Sequence, residues 1–233
     1  MRIVLFLLVV LSFYPSAAQD FREKIYHSYI TGNMDSWETQ LKSGNWRVLN
    51  RADQYEFAMA HYGFIGYCLG RDQKSRARPY LDNVELIADE LIAKYPDDPC
   101  YLALRGALYG FRINYQPQKA MFLGPKALKK VSLALSKDPG CPQAWIESGN
   151  KDWFMPTIFG GSKTLAITEY EKAINIFAKD PSFTSGNWYY LNIQMILASW
   201  YLERGRTFAA HEIYRNLIKQ EPRFTWAQEK LSE

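Results

Sequence analysis

The sequence predicts an all-α protein in which antiparallel helix hairpins stack into a superhelix, an α-solenoid. Apolar residues recur at three- and four-residue spacing through nearly all of the chain after residue 19, and this is the period of amphipathic helices. Clusters of Pro, Gly, Asn and Asp divide the pattern into segments of roughly 12 to 20 residues. Long alternating runs of β-branched residues do not occur in the sequence. A single helix of this kind cannot bury its apolar stripe, so neighbouring hairpins must stack to form a core.

The N-terminal segments are defined by their apolar spacing and by the residues that stop them. The first covers about 20–31 and ends near Gly32. The second begins at Asp35, which we expect to be its N-cap because a side-chain oxygen there can accept from the first free backbone amides. The third and fourth cover about 53–69 and 74–95, and the prolines of 96–99 end the fourth because proline cannot continue a helix.

Seven further segments follow, separated by turns that contain proline or glycine. They cover about 99–113, 124–137, 142–154, 163–179, 187–204, 207–220 and 223–231. Short connections between consecutive helices favour antiparallel hairpins. Ser162 follows two glycines that suit a turn, and we expect it to cap the helix that begins at residue 163.

The N-terminus has the pattern of a secretory signal peptide, residues 1–18. Arg2 precedes an apolar run at 3–11, and the small residues Ser16 and Ala18 stand three and one positions before the expected cleavage site after Ala18. The apolar run is shorter than the roughly 20 residues that span a bilayer. An uncleaved anchor is the alternative interpretation. We therefore expect an exported protein, periplasmic or associated with the outer membrane.

Charge and cysteine content exclude some classes of protein. The chain has 28 basic and 24 acidic residues, and removing Arg2 leaves 27 against 24, a net charge of +3. This mildly basic balance gives no indication of a nucleic-acid partner. The three cysteines, Cys68, Cys100 and Cys141, cannot all pair. Cys100 and Cys141 fall near equivalent turns of successive hairpins, so they either form a disulfide or remain two half-buried thiols, and we expect Cys68 to lie in the core.

The last hairpin, 187–222, resembles a tetratricopeptide repeat. Small and aromatic residues stand at the spacings of the 34-residue consensus: Ala198, Tyr201, Ala210, Tyr214 and Pro222. Two upstream units match in part, the first through Gly106 and Tyr109, and the second through Gly149, Ala166 and Tyr170. In the second unit Asp152 stands where the family has an aromatic residue. The resemblance implies about four hairpins over 53–233, with 19–52 as an N-terminal helical cap.

Two connections within these upstream units are longer than the consensus allows. They cover 114–126 and 155–163. The second contains Pro156 and Phe159-Gly160-Gly161, which is similar to a turn in exported bacterial repeat proteins, including the periplasmic repeat subunit associated with TRAP-type transporters. This likeness implies a Gram-negative envelope protein that docks on a transport component.

Other chemistry has weak support in the sequence. Residues 160–164 resemble part of a phosphate-binding loop, but the upstream glycine and the preceding strand are missing, so we interpret them as a turn and a helix cap. His27, His61 and His211 fall in different hairpins without metal-ligand spacing. No arrangement of nucleophile and base is recognisable. We therefore expect no catalytic, cofactor or metal site.

One stretch is strongly basic. No acidic residue occurs between Pro99 and Lys137, and this region holds the basic patch Arg112, Lys119, Lys126, Lys129, Lys130 and Lys137. Four of these lysines, from Lys126 onward, share one helix face, opposite a face that contains Leu128 and Val131. The patch is either a solvated helix face or a surface for an acidic partner or an anionic membrane.

The family resemblance implies a second surface. In tetratricopeptide repeats the first helix of each hairpin lines the concave groove, which would expose Gln143, Asn150, Trp153, Asn192, Ser199 and Glu203 for partner binding. The expected function is a non-enzymatic adaptor or scaffold that binds a protein or peptide in this groove. The alternative is a small-ligand-binding component of a transport system. An open groove would favour the first, and a closed pocket of roughly 300 to 1,000 Å³ would favour the second.

Overall fold

A computed structural model describes residues 17–233, and in this range the chain is helical without strands, which confirms the predicted fold class. Residues 1–16 of the predicted signal peptide lie outside the described part, and its last two residues begin the first helix. The helices are α1 (Ala17–Ile30), α2 (Met34–Ser43), α3 (Arg51–Gly70), α4 (Lys74–Lys94), α5 (Pro99–Tyr115), α6 (Ala120–Lys137), α7 (Pro142–Phe154), α8 (Lys163–Phe177), α9 (Trp188–Glu203), α10 (Thr207–Gln220) and α11 (Thr225–Ser232).

The predicted helix boundaries agree with these bounds apart from two differences. The N-cap of α2 is Asn33 and not Asp35, because Gly32 turns the chain with a φ of 68° and the Asn33 side chain already accepts from the Ser36 amide at 3.0 Å. The connection predicted at 114–126 is mostly helical. Helix α5 continues to Tyr115 and α6 begins at Ala120, so Pro125 lies inside a helix and removes one backbone hydrogen bond.

Consecutive helices pair as α3/α4, α5/α6, α7/α8 and α9/α10, and each hairpin packs on the next. In two of these pairs, α5/α6 and α7/α8, the close approach depends on a glycine. A Cβ added to Gly106 would lie 2.8 Å from a methyl group of Val131 on α6, and one added to Gly149 would lie 2.6 Å from the Tyr170 ring on α8. The family positions of the last hairpin, Ala198, Tyr201, Ala210 and Tyr214, are buried, whereas Tyr109 is half-buried and Pro222 is exposed after the end of α10.

Helix α3 lies on the inner side of the stack and contacts the first helix of each following hairpin. Tyr62 of α3 packs against Phe111 of α5 and Tyr189 of α9, with ring centroids 5.2 and 6.0 Å away, and its hydroxyl lies 3.4 Å from Asn150 of α7. Residues 57–62 are all buried, so α3 is covered on every side in this part. A helix that is buried all round acts as a central core element.

The two ends of the described chain meet. The Tyr29 ring of α1 packs on Trp188 of α9 and on Trp226 of α11, with centroids 5.9 and 5.0 Å apart. The Tyr26 hydroxyl donates to Glu221 at 3.2 Å, and the Thr225 hydroxyl donates to the carbonyl of Ile30 at 3.2 Å. The N-terminal hairpin therefore closes the superhelix against its C-terminal end.

Candidate functional site

The turns within the last three hairpins carry a row of exposed apolar side chains, which we call the turn edge. The first helices of these hairpins run in the same direction, so their C-terminal ends and the turns that follow lie along one edge of the stack. Six large apolar side chains there are between 71% and 86% exposed: Met121, Phe122, Phe154, Ile158, Phe159 and Phe208. Exposed apolar clusters on soluble proteins mark interaction surfaces.

The turn between α7 and α8 is held in one conformation by its backbone. Residues 157–159 form a single 3-10 turn, and Gly160 then takes a φ of 96°, which is the left-handed region that favours glycine. A Cβ on Gly161 would lie 1.8 Å from the Met155 carbonyl oxygen. The Ser162 side chain accepts from the Leu165 amide at 3.3 Å, so the predicted cap of α8 is confirmed. The exposed Ile158 and Phe159 are thus presented on a defined loop.

Neighbouring turns are joined along the edge. Lys163, at the start of α8, forms an ion pair with Glu203 at the end of α9, and its amine lies 4.8 Å from the centre of the Trp153 ring. The Tyr115 hydroxyl, at the end of α5, donates to the carbonyl of Lys74 at 2.8 Å. The first contact joins the α7/α8 turn to the α9/α10 turn, and the second joins the α5/α6 turn to the turn between α3 and α4.

The basic patch divides into paired and unpaired charges. Arg112 forms an ion pair with Asp82 at 2.7 Å and a second with Glu85, and Lys137 lies 2.5 Å from Asp97. No ion pair of the described residues involves the other members of the patch, which are Lys119, Lys126, Lys129 and Lys130. Lys119 lies in the turn before α6, Lys126 lies one helical turn after Phe122, and Lys129 and Lys130 lie near the middle of α6. Leu128, expected on the apolar face of α6, is 37% exposed.

The structure contradicts the exposure that the repeat register predicts for part of the groove set. Gln143 and Trp153 are buried, and the Trp153 ring stacks on Trp200 with centroids 4.2 Å apart. Asn192 is half-buried and accepts from the Tyr29 hydroxyl at 3.1 Å. The covering groups differ: Trp200 of the next hairpin covers Trp153, and Tyr29 of α1 covers Asn192. Ser199 and Glu203, near the C-terminal end of α9, are exposed as expected.

A buried polar network lies where α3 meets α7 and α8. Glu147 accepts from Gln143 at 2.7 Å and from Asn150 at 3.2 Å, and Asn150 in turn accepts from the Tyr170 hydroxyl at 2.6 Å. Burial raises the pKa of Glu147 to about 7, although its hydrogen bonds to Asn150, Tyr62 and Gln143 act in the opposite direction. The sequence signal for this network was the run of polar residues within the apolar helix α7.

Two further buried acids, Asp152 of α7 and Glu169 of α8, lie nearby. Asp152 is 1% exposed at the position where the family has an aromatic residue, and its carboxylate lies 2.8 Å from the Lys151 amine. Glu169 accepts from the Ser148 hydroxyl at 2.6 Å. Burial raises the pKa of Glu169 to about 7, the Ser148 hydrogen bond lowers it, and the neighbouring Asp152 raises it further. Lys151 is thus the basic group nearest to the buried Asp152 side chain among the ion pairs of the described residues.

The cavities and the potential metal ligands of the described residues give little indication of a small-molecule or metal site. A cleft of about 320 Å³ lies between α1, the connection before α3, and α3 itself, and its charged residues Arg22 and Asp53 already pair at 2.8 Å. His61 is buried between Phe57 and Asn83. Over residues 17–233 no three potential ligands converge on a metal position. Within the same range, no helix has the length and hydropathy needed to cross a bilayer.

Similar proteins support the fold. A tetratricopeptide-repeat protein of Thermus thermophilus superimposes with a TM-score of 0.54 at 17% identity, over 93% of this chain and 97% of that one. The haemophore HusA of Porphyromonas gingivalis gives a TM-score of 0.46 at 16% identity, over 78% and 92%. No family model and no curated protein matches the sequence. The predicted tetratricopeptide-like architecture is therefore confirmed as a fold.

Proposed function

We propose that this chain is a non-enzymatic scaffold of the bacterial envelope that binds an acidic protein partner through the turn edge. The observation that carries the proposal is the row of six exposed apolar side chains, together with four lysines of residues 119–130 that have no ion pair in the described chain. Apolar side chains that leave water on binding supply affinity, and unpaired lysines favour a surface of opposite charge.

The turn edge takes the place of the concave groove in this proposal. Helix α3 and the N-terminal hairpin occupy the inner side of the stack, and Gln143, Trp153 and Asn192 have internal partners. A peptide could enter there only if the chain's own helices left. The turn edge needs no such rearrangement, because its side chains are already exposed.

The envelope location rests on the signal-peptide pattern of residues 1–18, and it has its own test. After expression in a Gram-negative host, export should yield a chain that begins at Gln19. N-terminal sequencing or intact mass measures this directly, and a chain that retains Met1 in the cytoplasm would contradict the location without affecting the turn edge.

The partner surface is tested by capture from an envelope extract. We expect the chain to retain one acidic protein at low salt, and we expect the triple variant Phe122→Ser, Ile158→Ser, Phe159→Ser to lose at least ten-fold in affinity. The control is Val48→Ser with Phe183→Ser, since these side chains are 77% and 57% exposed in connections on the opposite edge.

The outcomes separate the candidate functions. Equal retention by the wild type and by the triple variant would exclude the turn edge as the docking surface. Retention of anionic lipid vesicles without any protein would replace the protein partner by a membrane surface. A bound small molecule found by native mass spectrometry, with no protein captured, would favour the ligand-binding alternative.

A further inference from the structure

The sulfur atoms of Cys100 and Cys141 lie 3.0 Å apart. A disulfide bond is about 2.05 Å long, so the two thiols are within about 1 Å of bonding distance. Cys100 is half-buried and Cys141 is 2% exposed. The third cysteine, Cys68, is buried in another hairpin, in the main core.

The positions of both cysteines are fixed by helix N-termini. Cys100 is in the first turn of α5, where the Asp98 side chain accepts from the amides of Cys100 and Tyr101 at 2.9 and 3.2 Å. Cys141 is the N-cap of α7, and its amide donates to the carbonyl of Asp138 at 3.1 Å. Prolines beside both cysteines restrict the backbone further. The short separation of the sulfurs is therefore built into two rigid turns.

The surroundings of the pair favour thiol chemistry at one sulfur. The hydrogen bond that Cys141 shares with Cys100 lowers the pKa of Cys141, and the backbone amides of Ala144 and Gln143 at the start of α7 add to this effect against the cost of burial. The same hydrogen bond raises the pKa of Cys100. Cys141 is thus the stronger nucleophile, and Cys100 is the sulfur that an external reagent can reach.

We propose that Cys100 and Cys141 form a disulfide that links successive hairpins, made by exchange with a low-molecular-weight or protein disulfide. Cys100 first forms a mixed disulfide with one sulfur of the oxidant and releases the other as a thiol. The Cys141 thiolate then attacks the Cys100 sulfur and expels the second thiol. The two protein thiols are oxidised to one disulfide, and the oxidant is reduced to two thiols that take up the two protons.

The link would lie in a small cluster of buried residues between the two hairpins. Cys141 belongs to a small apolar cluster with Leu102, Ala103, Ala134 and Ala144, separate from the main core. Oxidation closes a loop with a sequence separation of 41 that contains the whole α5/α6 hairpin. Crosslinking a loop of this size restricts the unfolded chain and stabilises the folded one.

The test is peptide mapping of the full chain after incubation with oxidised glutathione under native conditions. We expect one linked pair of tryptic peptides, 95–105 with 138–151, and a melting temperature roughly 5–10 °C above that of the reduced chain. Cys68→Ala should keep both results. Cys100→Ala should lose the linked peptides and the difference between the oxidised and reduced chains.

Two results would overturn the proposal. One is a folded wild-type chain, by circular dichroism, that keeps three alkylatable thiols after long exposure to excess oxidant. The other is a crosslink that involves Cys68. Neither readout involves a binding partner, so the proposal stands or falls separately from the turn edge.

Discussion

At the scale of single residues, Gly149 of α7 and Gly110 of α5 both lie on the first helix of a hairpin, but Gly149 is closely packed and Gly110 is not. A Cβ at Gly149 would lie 2.6 Å from the Tyr170 ring and 3.1 Å from the Ala166 carbonyl oxygen, whereas a Cβ at Gly110 would have no neighbour within 4 Å. The first glycine therefore serves the close approach of α7 to α8. Gly110 has no such packing role, and its main effect is to increase the conformational entropy of the unfolded chain.

This contrast gives a matched pair of substitutions. Gly149→Ala should lower the free energy of unfolding by about 1–3 kcal/mol through overpacking. Gly110→Ala should raise it by about 0.5–1 kcal/mol, since alanine favours a helix interior. Urea unfolding of both variants measures the difference, and a stabilising effect of Gly149→Ala would refute the assigned packing role.

Glu147 gives a prediction on pH. Its ordinary pKa is 4.5 and its folded pKa is about 7. Below pH 4.5 both the folded and unfolded states hold the proton, and above pH 7 both have lost it. Between these values only the folded state holds the proton, so the free energy of unfolding decreases as the pH rises. Glu147→Gln removes this cost.

The stability of Glu147→Gln relative to wild type should therefore rise from pH 4.5 to pH 7 and then stay level, with a total gain of at most about 3 kcal/mol. Burial lowers the pKa of His61 to about 4, so His61 withdraws stability as the pH falls below 6.5. The His61 effect is the same in wild type and in Glu147→Gln, so it cancels in the difference between their free energies of unfolding. A flat difference between pH 5 and 8 would show that Glu147 is not desolvated.

At the scale of elements, α6 combines structural and functional faces. Val131 and Ala134 are buried against the rest of the stack, while Lys126, Lys129 and Lys130 have no ion pair in the described chain. The same helix ends at Lys137, which is paired with Asp97. The lysines of α6 without an ion pair in the described chain thus lie between residues 126 and 130, and the paired Lys137 lies at the C-terminal end of the helix.

Charge reversal of Lys126, Lys129 and Lys130 to Glu should weaken capture of the acidic partner by at least ten-fold and flatten its dependence on salt. Stability should change little, because substitutions at unpaired surface charges have small effects. Reversal of Lys94, Lys179 and Lys219, three exposed lysines elsewhere, is the matched control. Unchanged affinity and salt dependence would mean that the basic residues of α6 are only a solvated face.

At the scale of the whole molecule, contacts between the two ends close the superhelix. Trp226 of α11 packs on Tyr29 of α1 and stacks on Tyr67 of α3, with the second pair of rings nearly parallel at 10°. An open repeat array has only nearest-neighbour contacts between hairpins. Closure adds contacts between distant parts of the sequence, so the chain should unfold as one unit.

Trp226→Ala tests this closure. We expect a loss of about 2 kcal/mol, less than for a fully buried tryptophan because the side chain is partly exposed. The control Phe183→Ala, at an exposed phenylalanine, should have little effect. Hydrogen exchange should show faster opening of α1 and α11 together in Trp226→Ala. Opening of α11 alone would argue that the ends fold independently.

Much of this organisation could be predicted from local patterns. Proline and glycine turns located the hairpins, and the small residues Gly106 and Gly149 identified where helices approach closely, because both signals depend on the backbone and its nearest neighbours. The start of α6 differs from the prediction because Gly124-Pro125 indicates a helix break, whereas the helix continues through Pro125 at the loss of one backbone hydrogen bond.

The candidate site was predicted only in part. The lysines of α6 were identified from the sequence, but the groove set failed at Gln143 and Trp153, because family register cannot show what covers a surface. One signal was available: residues 57–65 of α3 are apolar on all sides, which is typical of a helix buried all round. Such a helix has no single apolar face, so its sequence does not show which helices pack on which side of it.

The sequence by itself determined the helices, their pairing into hairpins and the tetratricopeptide-like stack, since periodicity and turn chemistry act over a few residues. Only the tertiary structure decided that α1 and α3 fill the inner side, that the apolar side chains of the turns stay exposed, and that Cys100 meets Cys141. These features depend on contacts between residues distant in the chain. The packing of whole hairpins against each other determines these contacts, and a local sequence pattern does not specify which distant residues meet.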